Sequence, residues 1–162
     1  MELVVAIGVM SLLLLGVTRV YTAALGTIHR LELGQQIRDQ GFLVAENIEQ
    51  SFRKALEYGG TIQAISDTYL SASKGPYGVI VEYSENRIKL TTVDGGVQST
   101  ASFPYNGLKC SQFKVRALCG DRYVDGSSVG DLKPRAIVIE FSMADELDNV
   151  QKTFKAAFRT RL

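Results

Sequence analysis

The chain has 162 residues, with 18 Lys+Arg against 17 Asp+Glu and a formal charge of +1. That balance offers no counterion argument for nucleic-acid binding and no acidic-repeat argument for disorder. Hydrophobic residues make up 46%; they are concentrated at the front of the chain, and the remaining length suits one domain with one modest core.

The opening residues set the first question. After Met1 and Glu2 the chain runs from Leu3 to Val17 without a charge, and the first base is Arg19. A cleavable signal peptide starts with a basic region; here an acid stands in that place. A bilayer-spanning helix needs about 20 apolar residues. Leu3 to Val17 is shorter than that, but Val20 to Leu25 is mostly apolar and Arg19 can snorkel. The run is a membrane-helix candidate.

Helical periodicity then continues. Leu25, Ile28, Leu33, Ile37, Val44, Ile48, Phe52 and Leu56 recur largely at spacings of three, four or seven, with Arg30, Glu32, Arg38, Asp39, Glu46, Glu49, Arg53 and Lys54 between them. This predicts one oily and one wet face. The first proline is Pro76, and Tyr58-Gly59-Gly60 is a suitable stop. Glycines at 16, 26, 34 and 41 each weaken a helix interior by up to about 1 kcal/mol. They either permit close packing or local bending, or are simply tolerated.

Beyond the helix, 61–78 is polar and Ser-rich and reads as a connecting loop with a short helical turn around Ile65 to Tyr69. Val79 to Tyr83 and Arg87 to Val93 flank a turn at Ser84-Glu85-Asn86 and predict a hairpin. Asp94-Gly95-Gly96 turns into a third strand, Val97 to Phe103, which Pro104 breaks. Phe113, Val115 and Ala117 alternate with Lys114, Arg116 and Leu118, so this segment is also a strand candidate. Residues 120–133 read as loop. Ile137 to Met143 and Phe154 to Thr160 alternate with period two, around a turn at 144–149, and form the strongest hairpin. The expected fold class is α+β: a long N-terminal α-helix, apolar in front and amphipathic behind, packed on a small antiparallel β-sheet head. The expected organisation is 1–25 as anchor, 26–58 as amphipathic helix, 59–78 as connecting loop and 79–162 as head, with a cysteine-bounded segment 110–119.

No catalytic constellation is present. His29 is the single histidine and has no matching Cys or Asp arrangement, and no HExxH, GxGxxG or GxxxxGK[ST] occurs. We expect no enzyme and no cofactor. Asp121, Asp125 and Asp131 share one Gly/Ser-rich segment whose oxygens could hold calcium, or are simply wet. Lys109, Lys114, Arg116 and Arg122, with Phe113 and Tyr123 interleaved, could bind a nucleic-acid strand, but alternation scatters them over both faces of a strand, as in an ordinary solvated rim. Cys110 and Cys119, nine residues apart, can close a small loop if the chain turns between them, which fits a domain outside the cytosol. The alternative is two separate buried thiols.

The stretch Glu2-Leu3-Val4-Val5-Ala6-Ile7-Gly8-Val9 resembles the N-terminus of bacterial type IV pilins and type II secretion pseudopilins. Their precursors carry a basic leader, then a glycine, a phenylalanine, three residues and a glutamate that opens an apolar helix. Only Met1 precedes Glu2 here. Either the native chain begins further upstream, or Met1 is a real start; the shortness of the apolar run favours the first. A cysteine pair in the second half is similar to what such subunits show, and the closing strand, Gln151 to Leu162, resembles that of minor pilins.

The resemblance implies a filament subunit. Glu2 would meet the N-terminal amine of a neighbouring subunit. Leu3, Val4, Val5, Ile7, Leu12, Leu13, Leu14 and Leu15 would serve as membrane anchor before assembly and filament core after it. The implied partners are other pilins, the inner membrane and the pilus assembly machinery. The implied location is the inner membrane, then an extracellular or periplasmic filament. The alternative is a monomeric, membrane-anchored binding module outside the cytoplasm, with DNA among its possible ligands.

Overall fold

A computed structural model describes residues 2–104, 107–129, 134–145 and 150–160. A single helix, α1, runs Glu2–Glu57, and the chain divides into two compact units, Met1–Gln36 and Ile37–Leu162. The first unit is helical over its described residues. Among its described residues the second holds the last part of α1 and nine strands: β1 Thr61–Ile65, β2 Tyr69–Lys74, β3 Tyr77–Ser84, β4 Arg87–Asp94, β5 Val97–Phe103, β6 Leu108–Cys119, β7 Arg122–Asp125, β8 Ala136–Asp145 and β9 Gln151–Arg159. The architecture is the expected pilin-like one, a long N-terminal helix with an antiparallel β head.

The stop of α1 rests on two glycines. Gly59 adopts φ +79°, a conformation without steric cost only for glycine. Its N–H donates to the Leu56 carbonyl at 2.9 Å and the Gly60 N–H donates to the Ala55 carbonyl at 3.0 Å. These paired bonds satisfy carbonyls that a helix end otherwise leaves open, the arrangement of a Schellman cap.

The strands form two sheets in place of one. The five-stranded sheet has the order β1-β2-β3-β4-β5 and the four-stranded sheet β7-β6-β8-β9; all pairings are antiparallel. The hairpin at Glu85-Asn86 forms as expected, both residues taking positive φ (53° and 59°), the requirement of a two-residue turn that matches strand twist.

The expected loop over 59–78 is corrected: it contains β1 and β2. Lys74 pairs with Tyr77 across Gly75-Pro76, so the Gly-Pro pair is a tight hairpin turn. The Ser-rich β2 has little intrinsic strand preference; it is held by pairing along its whole length with the strongly apolar β3. The expected loop over 120–133 likewise contains β7 and a 3-10 turn at Gly126–Ser128. Part of the expected turn at 144–149 lies outside the described residues.

One buried cluster joins the helix to both sheets. It contains Ile37, Val44, Ile48, Phe52 and Leu56 of α1, Leu70, Val81, Ile88 and Leu90 of the five-stranded sheet, and Val115, Ile137, Ile139, Phe141 and Phe158 of the four-stranded sheet. Burial of such a side chain stabilises by about 1.5–3 kcal/mol. The Phe52 ring stacks on Phe158 with centroids 4.7 Å apart and an 8° interplanar angle. Of the helical positions predicted as core, Leu25 and Ile28 belong to the first unit and are exposed.

Gly41 has a specific task. It is buried, and a Cβ built there would collide with the Phe154 ring. Phe154 meets Phe42 edge-on at 5.8 Å and Phe141 at 5.6 Å, so the ring has little room to yield. By contrast, Gly8, Gly16 and Gly26 have no atom within 4 Å of an added Cβ. Gly41→Ala should therefore destabilise the head by about 1–3 kcal/mol, outweighing the roughly 1 kcal/mol gained in helix propensity. Adding Phe154→Leu to the Gly41→Ala chain should recover part of that loss. Denaturant unfolding of the single and double variants checks this; additive losses would show that the two residues do not share one space.

Candidate assembly segment

Residues 2–32 are exposed throughout. The predicted assembly residues Leu3, Val4, Val5, Ile7, Leu12, Leu13, Leu14 and Leu15 are 59–74% exposed. An 18-residue window of this helix has mean hydropathy 2.3, long and apolar enough to cross a membrane by length and composition. Continuous apolar surface of this extent is foreign to a water-facing helix, whose soluble counterparts expose only a few hundred Å² in one patch. Glu2 lies in the first turn, where the helix dipole favours an acid.

The Ser and Thr side chains of this segment are matched to an apolar medium, a feature that hydrophobic periodicity does not report. Ser11 donates to the Ile7 carbonyl at 2.8 Å, Thr18 to Leu14 at 2.7 Å, Thr22 to Thr18 at 3.0 Å and Thr27 to Ala23 at 3.0 Å. Each of these four hydroxyls therefore returns its proton to its own helix four residues back. In hydrocarbon, where no water can satisfy a hydroxyl, this removes the cost of its burial. The signal was available: a Ser or Thr inside a predicted apolar helix always has the i−4 carbonyl within reach.

The cysteine bridge is corrected. Cys110 and Cys119 are both free thiols, and they sit near opposite ends of β6. A strand rising about 3.3 Å per residue separates them by roughly 30 Å, against the 4.4–6.8 Å between Cα atoms that a disulfide tolerates. The alternation of Phe113, Val115 and Ala117 and a bridge around them are mutually exclusive, and the strand prevails because β6 pairs with β8 over ten positions. Cys110 is fully buried; its thiol donates to the Gln112 carbonyl at 3.3 Å, and desolvation pushes its pKa up to about 12.

The calcium candidates are not gathered into a site. Asp125 lies on β7, with Oδ1 3.0 Å from Lys114 Nζ and 3.7 Å from Arg116 Nε. Asp121 is exposed in the β6–β7 turn, and Asp131 lies outside the described residues. Among the described residues no group of three or more His, Cys, Asp or Glu is placed to hold a metal ion.

Nor does the basic–aromatic set form one surface. Phe113 points inward and stacks on Tyr83 at 5.5 Å, while Lys114 and Arg116 join an ion-pair network on the other face. There Glu140 takes Lys155 at 2.6 Å and Arg116 at 3.4 Å. The hydrogen bond from Lys155 foremost, with the nearby positive charges, holds the Glu140 carboxyl below its usual range.

Alkylation of the native protein at pH 8 should modify Cys119 and spare Cys110, as read by peptide mass spectrometry; a Cys110–Cys119 cross-linked peptide would contradict the strand geometry. Because the folded pKa of Glu140 is depressed, its contribution is present above the ordinary carboxylate value of 4.5 and is lost as pH falls through the lower folded value. Glu140→Gln should cost about 0.5 kcal/mol at pH 7, with the gap from the parent chain closing on acidification; a gap that widens in acid would show that another group dominates.

Compared with protein-family models, with curated proteins and with solved structures, the chain matches none, so its pilin-like description is one of architecture.

Proposed function

We propose that this chain is a structural subunit of a type IV pilus or pseudopilus-like filament, held in a membrane before assembly and joined to other copies or related subunits through its N-terminal helix. The observation that carries this reading is the exposed apolar segment whose Ser and Thr hydroxyls at 11, 18, 22 and 27 are bonded within their own helix. Such a surface can exchange lipid for neighbouring helices at little cost, because a lipid tail and a leucine side chain are equally apolar. Leu3 to Val17 is then anchor first and filament core afterwards, and the β head is the part left in water. The pathway runs from an inner membrane to an extracellular or periplasmic filament, with an assembly machinery as partner.

On this reading Glu2 supplies registration. A carboxylate at the margin of hydrocarbon is expensive unless it is paired, and a neighbour's N-terminal amine is the partner that the resemblance implies. Binding energy that depends on this one pair would favour the register in which it forms.

Glu2→Ala should leave the head folded and reduce incorporation into sheared high-molecular-weight material roughly fivefold or more, equivalent to about 1 kcal/mol per insertion. The check is quantitative mass spectrometry of sheared and membrane fractions beside circular dichroism of the purified variant. Undiminished incorporation would remove the registration role. Recovery of the parent chain from the membrane alone would favour an anchored monomer over a filament.

A further inference from the structure

The two sheets end in four edge strands: β1 and β5 on one, β7 and β9 on the other. An edge strand presents a row of N–H and C=O groups to any strand that approaches, and proteins blunt it by short length, bulges or charge. Three of the four edges carry such protection. β1 has five residues and a register irregularity between Ile62 and Ala64. β7 has four residues, of which Arg122 and Asp125 are charged. β9 carries Lys152, Lys155 and Arg159.

β5 carries none of these. It has seven residues, Val97–Phe103. Its pairing is regular from Val97 opposite Asp94 to Phe103 opposite Ile88, and none of its side chains is charged. Val97 to Thr100 are exposed, Val97 to 73%. Composition also indicates what this edge accepts. A second β5 laid antiparallel about Ser99 sets Val97 against Ala101 and Gln98 against Thr100; about Thr100 it sets Val97 against Phe103, Gln98 against Ser102 and Ser99 against Ala101, and neither register brings like charges together. The same operation on β9 about its middle residue would set Lys155 against its own copy, with Lys152 and Arg159 also on the approaching strands.

We propose that β5 is a self-pairing edge, at which a second copy of this chain adds its own β5 antiparallel to continue the five-stranded sheet. The contact is isologous, each copy using the same patch. It reverses direction across its twofold axis and so cannot be the repeat that builds a polar filament; it joins heads in addition to any helix-driven assembly. A single strand pairing buries far less than the roughly 1,200 Å² of a stable independent interface. It is therefore weak between dilute chains and gains weight where copies are already concentrated, in one membrane or one assembly.

The test uses the full chain in detergent, in a Cys119→Ser background that leaves only the buried Cys110. Ser99→Cys, Thr100→Cys and Ala101→Cys are oxidised side by side with Tyr123→Cys, which places an exposed thiol on the β7 edge and experiences the same micelle. At least one β5 thiol should form disulfide homodimers about tenfold faster than the Tyr123→Cys control, a difference of roughly 1.4 kcal/mol. Adding Ser99→Lys to Thr100→Cys should abolish that excess while thermal unfolding of the head stays unchanged. Equal rates on the two edges, or an excess that survives Ser99→Lys, would overturn the proposal. So would β5 thiols in membranes of expressing cells that cross-link to a different chain in place of a second copy.

Discussion

The head depends on one seam, where the inward face of α1 from Ile37 to Leu56 closes over both sheets. Its tightest points are aromatic: Phe52 lies flat on Phe158, and Phe154 occupies the space that a side chain at Gly41 would need. β9 supplies both rings, so the last strand of the chain anchors the helix that precedes all the strands. Without that closure each sheet would present an oily face to water, and the short or polar strands at the margins would have nothing to pair against.

The first unit obeys a different rule. From Leu3 to Val17 it carries no charge on any side, and its Ser and Thr hydroxyls at 11, 18, 22 and 27 are bound within their own helix. Between Glu2 and Arg19 it makes no hydrogen-bonding demand on its surroundings, so an apolar medium suits that stretch. Among the described residues the head gathers no metal-holding set either. Its polar interactions include ion pairs such as Lys54 with Asp94 and Glu140 with Lys155, exposed or half-exposed contacts of small energetic weight. The chain's distinctive surfaces are an apolar helix and one strand edge without the charge or irregularity found on the others.

The cysteines show how two local readings can conflict. Spacing alone allowed a small closed loop, while alternation between the same two residues asked for an extended strand. Only one can hold, because extension moves the thiols apart faster than any side-chain rotamer can bridge. β8 resolves the conflict by pairing with nearly the whole of β6. A long-range pairing of this kind leaves no trace in the ten residues it decides. The same applies to β2, whose Ser-rich sequence reads as loop until β3 lies beside it, and to the glycine at 41, which is indistinguishable from those at 16 and 26 until the ring of Phe154 is in place.

What the sequence determined by itself was whatever depends on a period within one segment: the apolar run, the amphipathic continuation over 26–58, the glycine stop at 59–60, and the strands β3, β4, β8 and β9. Those patterns are legible because each residue's partner in helix geometry or strand pleat is a near neighbour in sequence. Only the tertiary structure decided that the strands divide into two sheets, that weakly patterned segments join them, that the two thiols stay apart, and which edges are left open. Each of these rests on contacts between residues distant in the chain, whose free energy comes from burial and pairing that no local window contains.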